Sequence, residues 1–203
     1  FHLREYEFTT PELYNSIHLI RHKKYAIQEG AINIENIQNI LNNIQVVEEP
    51  KLPFPQADSF ERVINLCELL KQKGFISKND ITQNYDFDYR QTNYYSSAAR
   101  YLGLIKDVYE NRQTGCSLTQ EGFRIFNLPI VERQLEFVKL ILTHTVFQNT
   151  LNLYFEKGDA PTKDEVVEIM KEAQLYNIDS EQTYRRRAST IISWINWILG
   201  LIE

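Results

Sequence analysis

The segment Tyr101-Leu102-Gly103-Leu104-Ile105 returns 97 positions later as Ile198-Leu199-Gly200-Leu201-Ile202, and this internal repeat constrains the fold more than any other feature of the chain. The copies agree upstream as well. Lys73-Gly74 precedes Ser77-Lys78-Asn79-Asp80, and Lys157-Gly158 precedes Thr162-Lys163-Asp164-Glu165. Each reads as a helix stopped at glycine, then a helix start with a hydroxyl at the N-cap and a carboxylate three residues on. A helix ending at Gly, a short capped helix, a turn and a longer helix running into a strand is the order of a helix-turn-helix. Nucleic-acid recognition is therefore the first function to weigh.

Around the repeat the chain divides into an N-terminal helical segment, 1–50, a first winged-helix unit, 51–129, and a second, 130–203, whose wing is short or missing. The expected class is mainly α with small β wings. Thr10-Pro11-Glu12 starts a helix, and Ile34, Ile37, Leu41 and Ile44 outline another. Residues 48–56 hold three prolines, which forbid helix and predict an extended linker at the domain boundary. Phe60, Val63, Ile64, Leu66, Cys67 and Leu70 form a buried stripe ending at Gly74. A third helix is expected from about Asp88 to Leu102, then a hairpin turning at Asn111 to Gly115, then a short helix capped by Thr119. In the second unit a long, broken helix covers 131–155, a capped helix starts at Thr162, and the third helix starts near Ser180.

The net charge of −5 argues against a surface that binds DNA everywhere, but phosphate contacts need clustered charge only. The basic clusters are Arg21-His22-Lys23-Lys24 and Arg185-Arg186-Arg187. Three cations at a helix N-terminus oppose the helix dipole, by up to about 1 kcal/mol each, and a polyanion partner would offset that. No apolar run is long enough to span a bilayer, and Cys67 and Cys116, without metal-ligand spacing, read as reduced thiols of a cytoplasmic protein. The chain opens on Phe1, so a fragment or processed product is expected, and no signal peptide can be judged from it.

Aligning the third helices on their shared ending pairs Tyr94 with Ile191, Tyr95 with Ile192, Ala98 with Ile195, Tyr101 with Ile198 and Leu102 with Leu199, a core stripe in both copies. The opposite face then carries Tyr89, Asn93, Ser96 and Arg100, flanked by Arg90 and Thr92. In the second copy it carries Arg186, Thr190 and Ser193, flanked by Arg187 and Ser189. Arg pairs bidentately with guanine and Asn with adenine, while hydroxyls and Tyr contact phosphates, so these are the candidate DNA-binding residues. Arg21, Lys23 and Lys24 join them as candidate phosphate contacts. The same residues also suit a soluble helix surface. Trp197 falls on the outward side and is expected to pack under the N-terminal segment or a partner subunit.

Nuclease chemistry of the PD-(D/E)xK type needs an Asp upstream of Glu-x-Lys to hold a divalent ion. Glu49-Pro50-Lys51 supplies the second half, but no Asp precedes Asp58. Glu49 is assigned to the linker. No Gly-rich phosphate loop or Ser-His-Asp order occurs, and no catalytic or metal residue is expected. His144 reads as a satisfied core imidazole.

Pro53-Phe54-Pro55-Gln56-Ala57-Asp58-Ser59-Phe60, Tyr89-Arg90-Gln91-Thr92-Asn93-Tyr94-Tyr95, Tyr101-Leu102-Gly103-Leu104, and Arg186-Arg187-Ala188-Ser189-Thr190 with Trp194-Ile195-Asn196-Trp197 together resemble a tandem winged-helix region of bacterial type II restriction endonucleases. The resemblance covers roughly residues 53–202. It implies a module that reads double-stranded DNA, attached to a nuclease, with DNA contacts at the third-helix positions named above. It also implies no cofactor in this chain, and Mg2+ only where a nuclease domain is attached elsewhere. Two alternatives remain: a stand-alone transcription regulator, which needs a homodimer and a symmetric operator, and a scaffold that binds protein.

Overall fold

The computed structural model describes residues 31–77, 80, 89–110 and 112–202, and of 89–92 the backbone only. The helix expected at Thr10 lies outside these residues. Helix α1, Ile34–Asn43, starts at Asn33, whose side chain and that of Asn36 each accept the other's backbone N–H. It buries Ile37 and Leu41 and leaves Ile34 exposed.

Residues 44–59 run without helix, as the prolines require, but they are not a free linker. Phe54 is buried, edge-on to Tyr101 at 5.3 Å and stacked on Phe147 at 5.8 Å, so the strap is clamped between the two units. Proline spacing reports backbone conformation and says nothing about what the side chains find to pack against.

Helix α2, Phe60–Lys73, is capped by Ser59 and halted by Gly74 at φ 76. Strand β1, Ile76–Ser77, follows, and the Ser77 hydroxyl accepts the Asp80 backbone N–H as the sequence predicts. The helix expected from that cap lies beyond Asp80, outside the described residues. Helix α3, Tyr89–Tyr101, leads through Gly103 (φ 69) into β2, Ile105–Glu110, and β3, Gln113–Leu118. The sheet is antiparallel in the order β1-β3-β2, with Ile76 opposite Cys116 and pairs running from Ile105↔Leu118 to Glu110↔Gln113. Its turn is tighter than expected, since pairing absorbs Gln113 to Gly115. The Thr119 hydroxyl accepts the Gly122 N–H at 2.9 Å and so caps α4, Gln120–Phe126.

The long helix of the second unit is two, α5, Ile130–Leu142, and α6, Thr145–Lys157, with the break at Thr143-His144. Helix α7, Lys163–Glu172, opens on a capping box of Thr162 and Glu165, and α8, Glu181–Leu199, on a Ser180 cap. The repeated Leu-Gly-Leu-Ile then diverges. Gly103 takes the left-handed backbone that turns the chain into a hairpin, whereas Gly200 keeps φ −69, and Ile202 forms a parallel bridge with Ile32. The residue that matches the start of the first wing thus meets the N-terminal segment.

With eight helices and one three-stranded sheet among the described residues, the fold is mainly α with a small β wing. One hydrophobic core runs through both units. Its centre is aromatic: Phe60 meets Trp194 edge-on at 4.9 Å, and Phe147 stacks on Trp194 at 5.2 Å. Of the expected third-helix stripe, Tyr95, Ala98, Tyr101, Leu102, Ile191, Ile195 and Ile198 are buried, while Tyr94, Ile192 and Leu199 are half-buried. Among the described residues no helix is long and apolar enough to cross a membrane.

Candidate nucleic-acid interface

The outward face expected on α3 is only partly outward. Asn93 is half-exposed, but Ser96 is 4% exposed, and Arg100 folds back over it, with Nη1 3.4 Å from the Ser96 hydroxyl, to reach Asp107 on β2 at 2.7 Å. Residues 96 and 100 therefore fasten the wing to the helix instead of facing solvent. A helical repeat predicts which residues share a face; it does not reveal that the hairpin downstream folds back onto that face. The side chains of Tyr89, Arg90 and Thr92 lie outside the described residues, although their backbone forms the first turn of α3. Arg21, Lys23 and Lys24 lie outside them altogether.

On α8 the correction is larger. Thr190 is 2% exposed, and the Ser193 hydroxyl donates to the Asp58 carbonyl at 2.5 Å. Next to it the Trp194 indole N–H donates to the Ala57 carbonyl at 2.9 Å, while the Tyr95 hydroxyl on α3 donates to the Asp58 carboxylate at 2.7 Å. Both third helices thus fasten to Ala57-Asp58, just ahead of α2. Ser193 and Trp194 satisfy two successive strap carbonyls, and without the indole donor that of buried Ala57 would be left without a partner. Burial and the Asp58 hydrogen bond push the Tyr95 phenol up to about 12. Trp197 packs on Phe60, 4.5 Å between ring centres, and on Phe137, while residues 1–30 of the N-terminal segment lie outside the described residues. Ser189 stays exposed, bonded to the Arg185 carbonyl of its own helix.

Because Ser180 caps α8, the three arginines fall in its second turn and not its first. Arg185 pairs with Asp164 at 2.7 Å and lies 3.5 Å from Glu181. Arg186 is exposed and Arg187 half-buried, and neither makes an ion pair or hydrogen bond among the described residues. Burial, then the neighbouring Arg186, hold the Arg187 guanidinium below the usual arginine range, while Tyr94 on α3 favours its charged form. Of the expected reading residues, Arg186 and Arg187 stay without a protein acceptor among the described residues on the N-terminal half of α8, with Arg187 within electrostatic reach of Tyr94 on α3. The structure withdraws Ser96, Arg100, Thr190 and Ser193.

Two features escape the sequence reading. Glu49 is no linker residue: its Oε2 accepts the Tyr101 hydroxyl and lies 3.3 Å from His144 Nδ1, while Tyr101 and His144 stack at 4.2 Å. His144 is buried at the break between α5 and α6, yet among the described residues its Nδ1 and the Glu49 Oε1 have no hydrogen-bond partner. Burial and the Glu49 carboxylate drive the Tyr101 phenol well up. A carboxylate bonded in this way ties the strap to both units. The second feature is the wing, where Tyr109 is 73% exposed and Lys106 and Arg112 are exposed beside it. Alternation along β2 could have placed Lys106 on the outer face. Cys67 and Cys116 are free and buried, and burial raises the Cys67 thiol far from a reactive thiolate. No group of three or more His, Cys, Asp or Glu able to hold a metal occurs among the described residues.

Comparison with curated proteins gives no match, and neither does comparison with solved structures. One family model does match, over residues 62–203, which takes in everything from the first turn of α2 through both third helices. The chain belongs to the family described as Domain of unknown function (DUF7226).

Proposed function

We propose that this region recognises double-stranded DNA in a sequence-specific way, as the target-reading module of a restriction endonuclease. The observation that carries the reading is the pair of adjacent cations without an acceptor among the described residues, Arg186 and Arg187, on the N-terminal half of α8. Helix α3 lies between β1 and the β2–β3 hairpin, the position of the helix that a winged helix presents to the major groove. Exposed Lys106 and Arg112 on the hairpin extend the basic surface. With Thr190 buried and Ser193 bonded to the strap, α8 supplies its N-terminal half to a shared site instead of reading a second groove of its own. Restriction parentage rests on the sequence resemblance, and Mg2+ would serve a nuclease domain attached elsewhere. A protein-binding scaffold is favoured by one feature: Phe123 stands exposed over a groove of about 300 Å³ with Leu70 and Leu118.

The test is duplex binding by the whole chain at several salt concentrations. Affinity should fall linearly on a log–log plot, by about 0.9 per phosphate contact, and duplex supplied with magnesium should be bound without being cut. Binding that is absent at low salt, or flat with salt, overturns the proposal. Cleavage lost on Glu49→Gln would show that the strap belongs to a catalytic domain.

A further inference from the structure

The cations of this fold are otherwise accounted for. Arg100 pairs with Asp107, Arg124 with Glu121 and Glu136, Arg133 with Glu68, Lys157 with Glu165, Lys171 with Glu168 and Glu181, and Arg185 with Asp164. The cations without an acceptor, such as Lys51, Lys73, Lys106 and Arg112, are exposed, where water solvates them. Among the described residues Arg187 alone is half-buried with no protein group to accept its protons, and its sequence neighbour is a second unpaired cation. Burying a charge in this way is unfavourable unless a counter-charge arrives. A guanidinium presents its donors as a planar fork suited to the oxygens of a phosphate or carboxylate. Arg187 lies two turns ahead of Trp194, on the α8 face that bonds Ala57, and Tyr94 adjoins Tyr95, which bonds Asp58.

We infer that Arg187, with Arg186 beside it and Tyr94 opposite, is the binding site of one phosphate oxyanion, built from both units and incomplete in either alone. The inference deepens the DNA reading and rests on it for the source of the phosphate, a backbone phosphodiester instead of free phosphate. The site also gives the strap a role. By fastening both third helices to Ala57-Asp58, it fixes Arg187 against α3 before the anion arrives.

Arg187→Met keeps the length of the aliphatic stem and removes the charge, and Arg187→Lys restores a charge without the fork. Labelled duplex and inorganic phosphate are the probes. With duplex, Arg187→Met should weaken binding by about tenfold or more and reduce the salt slope by about one, with Arg187→Lys between the two. Without any anion, Arg187→Met should melt at the same temperature as the native chain or higher, because it removes an unpaired charge. Phosphate should raise the melting temperature of the native chain more than that of Arg187→Met. If the native chain binds duplex and Arg187→Met matches it in affinity and slope, the oxyanion site is wrong and the DNA reading stands. If the native chain binds no duplex but responds to phosphate through Arg187, the site stands and the DNA reading falls. If the native chain binds neither probe, both fall. A lower melting temperature for Arg187→Met in anion-free buffer would make Arg187 a packing residue and overturn the site.

Discussion

Asp58 carries more of this arrangement than its place in a proline-rich stretch suggests, since its carboxylate and its carbonyl receive donors from two different helices. The Tyr95 bond gives a test. The phenol is pushed up to about 12 from an ordinary 10, so the protonated form is favoured by folding. The stability it confers is complete below pH 10 and lost as pH rises toward 12. Tyr95→Phe should cost about 1 kcal/mol at neutral pH and shrink the loss of stability across that alkaline window, read as the urea midpoint against pH. An alkaline limb unchanged by the substitution would count against the Asp58 contact. Residues of this kind mark the limit of what the sequence shows. Ser96 and Thr190 have the small polar character of a solvent-facing helix position, and only the hairpin folding back and the neighbouring unit arriving turn them inward. Glu49 reads as linker for the same reason, because Tyr101 and His144, which enclose it, are remote in sequence.

Local signals read well at the level of elements. Thr119 and Thr162 each cap the helix that the sequence assigns to them, and α8 starts after Ser180 as expected, because a cap is satisfied within three residues and needs no knowledge of the fold. The sequence also anticipates a broken helix over 131–155, though not the place of the break, and the hairpin after α3, though not the hairpin's tight register. The capping box of α7 can be measured. Glu165 accepts from the Thr162 N–H and hydroxyl and from Lys157, and Lys157 first, then Thr162, lowers its carboxyl from 4.5 to about 2. Its folded value lies below its unfolded one, so the stabilisation is present above about pH 4.5 and disappears as pH falls toward 2. Thr162→Ala should cost about 1 kcal/mol at neutral pH, and Lys157→Met should flatten the acid limb of the stability curve. If Lys157→Met leaves the acid limb as steep as before, Lys157 is not what depresses Glu165.

Across the whole molecule, the tandem repeat proves a poor guide to independence. Two similar units suggest two folding domains, yet Phe60, Phe137, Phe147 and Trp194 form one aromatic centre drawn from both, with the strap's Phe54 packed on Phe147. Trp194→Ala should therefore destabilise the chain by about 3–5 kcal/mol, and circular dichroism and near-ultraviolet signals should report one coincident transition. Two separated transitions, with the first unit indifferent to the substitution, would restore the picture of independent domains. The bridge between Ile32 and Ile202 carries this further, into the order of folding. A contact spanning nearly the full described length has to wait for its far partner, whereas the hairpin and the capped helices can form as soon as they are made. During synthesis the segment before α1 emerges first and can make this pairing only after the last residues of the repeat have left the ribosome. The earliest part of the described chain is then among the last to settle.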